Sequence, residues 1–109
     1  MIEIEDRDNF KKRVLSTKGI VLVNFWAWWS EECRTMYALM RDITDFINEQ
    51  DAIVHIDWER QKRLAQELEI FGVPTLLVYI NRREIARYSG IINKDELIRR
   101  ITEAKKSVV

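Results

Sequence analysis

From Ile20 to Trp26 the chain is apolar at every position except Asn24, and β-branched and aromatic residues dominate the run. A strand buried on both faces reads this way, whereas a strand with one wet face alternates. The run continues through Ala27, Trp28 and Trp29 into Ser30-Glu31-Glu32. Serine is a favoured helix N-cap, and carboxylates in a first turn interact well with the helix dipole. A buried strand that turns sharply into a helix is therefore predicted. Cys33, three residues past the cap, falls on the cap's side of that helix. From Glu31 to about Asn48 the apolar residues Cys33, Met36, Tyr37, Met40, Ile43 and Ile47 recur at three- and four-residue steps, the strongest helical pattern in the chain.

The remaining elements follow from the same reading. Ile2 to Glu5 alternates as a short strand. Asp6 or Asp8 caps a first helix with Phe10, Val14 and Leu15 inward, and Gly19 ends it in a left-handed conformation. Ala52 to Trp58 reads as a strand and Arg60 to about Glu69 as a helix with Leu64, Ala65 and Leu68 inward. Phe71-Gly72-Val73-Pro74-Thr75 holds the single proline, and Leu76 to Ile80 is a strand. Asn81-Arg82-Arg83 makes a tight link to a strand over Glu84 to Tyr88, with Arg82 where a hairpin turn favours glycine. Asn93 and Glu96 approach a capping box before a last helix carrying Leu97, Ile98, Ile101 and Ala104. The order β-α-β-α-β-α-β-β-α predicts an α/β fold in one domain over residues 1–109. Its central mixed sheet is flanked by helices on both faces, parallel where helices cross over and antiparallel at the hairpin.

Composition narrows the function classes. Lys+Arg and Asp+Glu balance at 18 each, so no electrostatic footprint points to nucleic acid or an anionic membrane. One cysteine and one histidine leave no internal disulfide and no Cys/His metal cluster. No Gly-rich phosphate loop is present among three glycines, so no cofactor is expected. The acidic start lacks the basic and apolar regions of a signal peptide, and no window is apolar enough to span a membrane; a cytoplasmic location is the expectation.

The strand–turn–helix with Trp29-Ser30-Glu31-Glu32-Cys33 resembles the Trp-Cys-x-x-Cys turn of the thioredoxin family, with serine in place of the first cysteine. The likeness extends over essentially the whole chain. It implies the thioredoxin fold and descent from thiol–disulfide oxidoreductases. In that family the first cysteine is the nucleophile, and Ser30 stands in its place; a hydroxyl is not appreciably ionised at neutral pH and forms no disulfide. Cys33 matches the buried resolving cysteine, and its apolar surroundings point to an inert core thiol, with a reactive monothiol as the alternative. Glu31-Glu32 replaces the family's Gly-Pro.

Two further positions depart together. Asn24 matches a buried aspartate that takes up a proton during resolution, and an amide is not a base. His55 falls where the family has a lysine paired with that aspartate, so Asn24 and His55 are expected to hydrogen-bond as a neutral buried pair. The recognition parts are retained. Val73-Pro74-Thr75 matches the family's cis-proline loop, Trp29 the exposed tryptophan before the motif, and Gly90 a glycine lining the same groove. The resemblance implies that an extended protein or peptide partner pairs with the backbone there. Three functions are then open: a redox-silent peptide-binding module, a monothiol protein forming mixed disulfides through Cys33, or a Cys-to-Ser form of an active reductase. Trp28 beside Trp29 is expected either to extend an apolar patch or to bury against the core.

Overall fold

The computed structural model describes residues 2–4 and 6–107. Glu5, the last residue of the first predicted strand, lies outside them. The chain forms β1 (Ile2–Ile4), α1 (Arg7–Ser16), β2 (Ile20–Trp26), α2 (Glu31–Ile43), a 3-10 turn (Thr44–Phe46) and β3 (Ala52–Asp57). It continues through α3 (Lys62–Glu67), β4 (Thr75–Ile80), β5 (Arg83–Ser89) and α4 (Lys94–Ser107). The five strands form one sheet in the order β1-β3-β2-β4-β5.

β2 lies at the centre, parallel to β3 and antiparallel to β4. Its side chains alternate between two cores. Val21, Val23 and Phe25 join Phe10, Val14, Val54, Ile56, Leu64 and Leu77 on the α1/α3 side. Ile20 and Leu22 join Met36, Met40, Ile43, Ile53, Leu97 and Ile101 on the α2/α4 side. This is why the strand is apolar without alternation. Asn24, on the α2 side, is the polar exception and is fully buried.

Several expectations change. The crossover through α3 does not give a parallel strand: β4 runs antiparallel to β2. α2 stops at Ile43 rather than near Asn48 and passes into the 3-10 turn, where Thr44 Oγ1 donates to the Arg41 carbonyl at 2.6 Å. α3 begins later than Arg60, since the Asp57 carboxylate takes the Glu59 and Arg60 amides at 3.0 and 3.1 Å into a preceding turn. It ends earlier than Glu69: the amides of Glu69 and Ile70 bond back to the carbonyls of Gln66 and Ala65 at 3.1 and 2.8 Å, with Glu69 at φ 57°. That is a Schellman ending with glutamate in the left-handed position where glycine is usual. At α4, Asn93 Oδ1 accepts from the Asp95 and Glu96 amides, but the Glu96 carboxylate pairs with Arg99 and Arg100 instead of closing a capping box.

Leu15 is exposed rather than inward, about 100° around its helix from the buried Val14, and Tyr37, next to the buried Met36, is half-exposed. Leu39 is buried in the stripe instead. The Asn81-Arg82 link keeps positive φ at both residues, 51° and 69°, so the hairpin retains a primed turn despite the arginine.

Gly19 is not left-handed. α1 ends on the extended Thr17, and Gly19 matters because a Cβ there would stand 2.1 Å from Asp51 Oδ1. Asp51 accepts from the Ile20 and Asn48 amides at 2.8 and 2.9 Å and from Lys105 Nζ at 2.6 Å. Burial alone raises its carboxyl, but the Lys105 ammonium and the two amides hold it below the usual range. This carboxylate joins the start of β2, the loop before β3 and the end of α4. Asp51→Ala leaves those donors uncompensated and is expected to cost about 2–3 kcal/mol in urea unfolding. Arg82→Gly removes a left-handed Cβ penalty and is expected to stabilise by about 1 kcal/mol in the same measurement.

Candidate functional site

The site forms where β2 ends. Ser30 N donates to the Ala27 carbonyl at 3.2 Å, closing the turn, and Ser30 is the N-cap of α2: its Oγ accepts from the Cys33 amide at 3.2 Å. Cys33 is 3% exposed, and its Sγ accepts from the Ala27 amide at 3.4 Å. Ser30, Cys33 and the strand end are thus one hydrogen-bonded unit. The hydroxyl is engaged with backbone, and the thiol is enclosed. No general base is hydrogen-bonded to Ser30 among the described residues, so the group lacks what a serine nucleophile needs.

Beneath α2, Asn24 and His55 are register neighbours on β2 and β3. Asn24 Nδ2 donates to His55 Nδ1 at 3.0 Å, as expected of a neutral pair. His55 is 2% exposed, and burial pushes its imidazole from 6.5 down to about 4. The Tyr37 ring stacks on it with centroids 4.7 Å apart and covers the imidazole, although Tyr37 itself stays half-exposed. Asn24 Oδ1 is buried without a hydrogen-bond partner. In a neutral pair of this kind neither member accepts a proton readily near neutral pH.

The third part is a surface groove of about 460 Å³ lined by Phe71, Gly72, Val73, Pro74, Thr75 and Gly90, with Glu69, Arg87 and Ser89 at its edge. The Val73–Pro74 peptide is cis. Thr75 Oγ1 donates to the Gly72 carbonyl at 2.7 Å and Gly90 N to the Pro74 carbonyl at 2.9 Å, so the loop is tied both to itself and to the chain leaving β5. Gly90 has φ 85°, a conformation open to glycine at no steric cost.

Val73, Pro74, Thr75 and Gly90 therefore meet in one groove; Trp29 does not line it. Its indole Nε1 donates to Glu59 Oε1. Glu59 borders a second hollow of about 310 Å³ with Trp58, Ala65 and Ile70, and Phe71 borders both hollows. Trp28 and Trp29 are 69% and 51% exposed and Phe71 is 86% exposed, so the aromatic pair is displayed rather than buried. Sequence reasoning missed Phe71, Glu59 and Tyr37 as site residues. Only Phe71 carried a signal, an aromatic between turn residues; the other two depend on contacts across the sheet. No group of three or more His, Cys, Asp or Glu side chains is placed to hold a metal, and no helix is long and apolar enough to cross a membrane, among the described residues.

The native state keeps His55 neutral, whereas the unfolded chain protonates it near 6.5. Between about 6.5 and 4 the unfolded state binds the extra proton, so stability falls as pH falls through that window and the contribution levels off below it. His55→Gln is expected to flatten this part of the stability–pH curve, measured by urea unfolding at half-unit steps.

The family model for thioredoxin matches residues 1–103. The thioredoxin of Buchnera aphidicola subsp. Acyrthosiphon pisum is 30% identical over 97 residues, covering 89% of each chain. That of Chlamydia muridarum is 27% identical over 103 residues, covering 94% of this chain and 98% of the relative. Among solved structures, the Malassezia sympodialis thioredoxin superposes with a TM-score of 0.79 at 25% identity, over 94% of this chain and 89% of that one. A mutant thioredoxin from Halobacterium salinarum NRC-1 shares the fold, with a TM-score of 0.84 at 20% identity over 94% and 88%. With its strand order, its turn and its proline loop all in place, the chain belongs to the thioredoxin family of thiol–disulfide oxidoreductases.

Proposed function

We propose that this chain is a protein- or peptide-binding member of the family in which dithiol exchange is lost and the substrate groove is kept. The observation that carries this reading is the Ser30 hydroxyl accepting the Cys33 amide at 3.2 Å. The position of the attacking sulfur holds a capping group, and disulfide reduction by thiolate attack has no nucleophile to begin it. The remaining sulfur is 3% exposed. Asn24 and His55 support the same reading, since the proton acceptor that thiol resolution uses is replaced by a neutral pair. On the binding side, an extended segment would lie along the backbone of Val73 to Thr75 beside Gly90. The exposed indoles of Trp28 and Trp29 and the ring of Phe71 offer apolar area at low entropic cost, which is what interface anchors supply.

Three measurements test the two halves separately. In an insulin-reduction assay driven by dithiothreitol, the native chain is expected to add nothing to the rate of dithiothreitol alone, and Cys33 to react with a chromogenic disulfide only when the chain is unfolded. Catalysed insulin reduction overturns the loss of exchange; fast reaction of native Cys33 establishes the monothiol reading in its place. For binding, linear peptides selected from a random display library are titrated by fluorescence anisotropy. Phe71→Ala, at an exposed ring that lines the groove, is expected to weaken them by roughly thirtyfold, the scale of an aromatic anchor at ~2 kcal/mol. Peptides indifferent to Phe71→Ala, or none selected at all, remove the groove reading.

A further inference from the structure

The groove loop leaves α3 through a strained corner. Glu69 sits at φ 57°, a conformation in which a Cβ crowds the following carbonyl oxygen. The backbone bonds of the helix ending hold one side of this corner, from the Glu69 and Ile70 amides. The other side is held from a distant strand. Arg87, on β5, donates from Nη2 to the Leu68 carbonyl at 2.8 Å and from Nη1 to the Glu69 carbonyl at 2.9 Å. Its remaining bonds, from Nε and Nη2 to the two Glu84 oxygens at 2.8 Å each, aim the guanidinium. A planar fork can serve two carbonyls and a bidentate carboxylate at once; a lysine ammonium cannot. A cation beside the last carbonyls of a helix also has the favourable dipole sign.

Arg87 and Glu69 both border the groove beside Pro74. We infer that Arg87 is a positioning residue for that groove: by gripping the Leu68 and Glu69 carbonyls from β5, it pins the left-handed corner from which the loop Ile70–Thr75 departs and so presets the surface a partner's backbone meets. This rests on the groove reading for its binding consequence, but the pinning itself is a property of the free chain. The inference assigns to an exposed β5 residue a role in recognition, although it stands 13 positions after Pro74 in the sequence.

Amide hydrogen exchange and peptide titration, on the full chain, test it together. Arg87→Met keeps the apolar stem and removes every donor. Exchange at Ile70 and Gly90, whose amides bond to Ala65 and Pro74, is expected to speed up roughly ten- to hundredfold, the range for losing a hydrogen bond to a charged group. The strand amides of Leu77 and Val78 are expected to change less, and the selected peptides to weaken by at least tenfold. Adding Glu69→Gly lets the corner adopt its φ without a Cβ, and exchange and affinity are both expected to recover to within about threefold of native. Glu69→Gln, which alters the charge but keeps the Cβ, is expected to rescue neither.

Uniform acceleration at Ile70, Gly90, Leu77 and Val78 would make Arg87 merely a contributor to global stability and overturn the inference. So would failure of Glu69→Gly to rescue exchange. Rescue of exchange without rescue of affinity would mean that Arg87 touches the peptide directly and does not act through the corner, which also overturns it. If no peptide binds the native chain, the groove reading falls, while the exchange pattern still decides whether Arg87 sets the loop.

Discussion

Burial of β2 on both faces is the constraint from which the rest of the fold follows. A seven-residue strand with no wet face must find backbone partners on both edges and a side-chain core above and below. β3 and β4 supply the edges, α1 and α3 one core, α2 and α4 the other. The strand then has to leave the interior at Trp26, and it does so through a turn closed by three local hydrogen bonds. The Ala27 carbonyl takes the Ser30 amide, the Ala27 amide finds the Cys33 sulfur, and the Cys33 amide finds the Ser30 hydroxyl. Removing the reactive sulfur from this turn does not loosen it, because serine caps a helix well.

A cysteine at a helix N-terminus offers a nucleophile to solvent; the Ser30 oxygen accepts from the backbone instead. The neighbouring interior holds a neutral polar pair. One hydrogen bond joins Asn24 to His55 and Tyr37 covers the ring, while Asn24 Oδ1 is buried without a partner. Such a pair avoids burying a charge, although the unpaired Oδ1 carries a desolvation cost. The groove residues, by contrast, are held by bonds that do not involve the thiol: Thr75 to Gly72, Gly90 to Pro74, and Arg87 to the end of α3. The groove and the Ser30–Cys33 turn are therefore held by separate sets of hydrogen bonds.

The amino-acid order by itself determined the buried central strand, the helix start at Ser30, the enclosure of Cys33, the Asn24–His55 pair and the gathering of Val73, Pro74, Thr75 and Gly90. The first three were legible from local periodicity and a capping residue; the Asn24–His55 pair and the groove residues were legible only through the resemblance to the thioredoxin family. Only the tertiary structure decided that β4 runs antiparallel to β2, that α2 breaks at Thr44, that Leu15 faces outward, and that Tyr37 lies over His55. It also decided that Gly19 is small to make room for Asp51, that Phe71 stands between two hollows, and that Arg87 reaches the carbonyls ending α3. These depend on groups far apart in sequence competing for the same backbone atoms or the same space. A one-dimensional pattern records which residues want burial or a partner, but not which distant group supplies it.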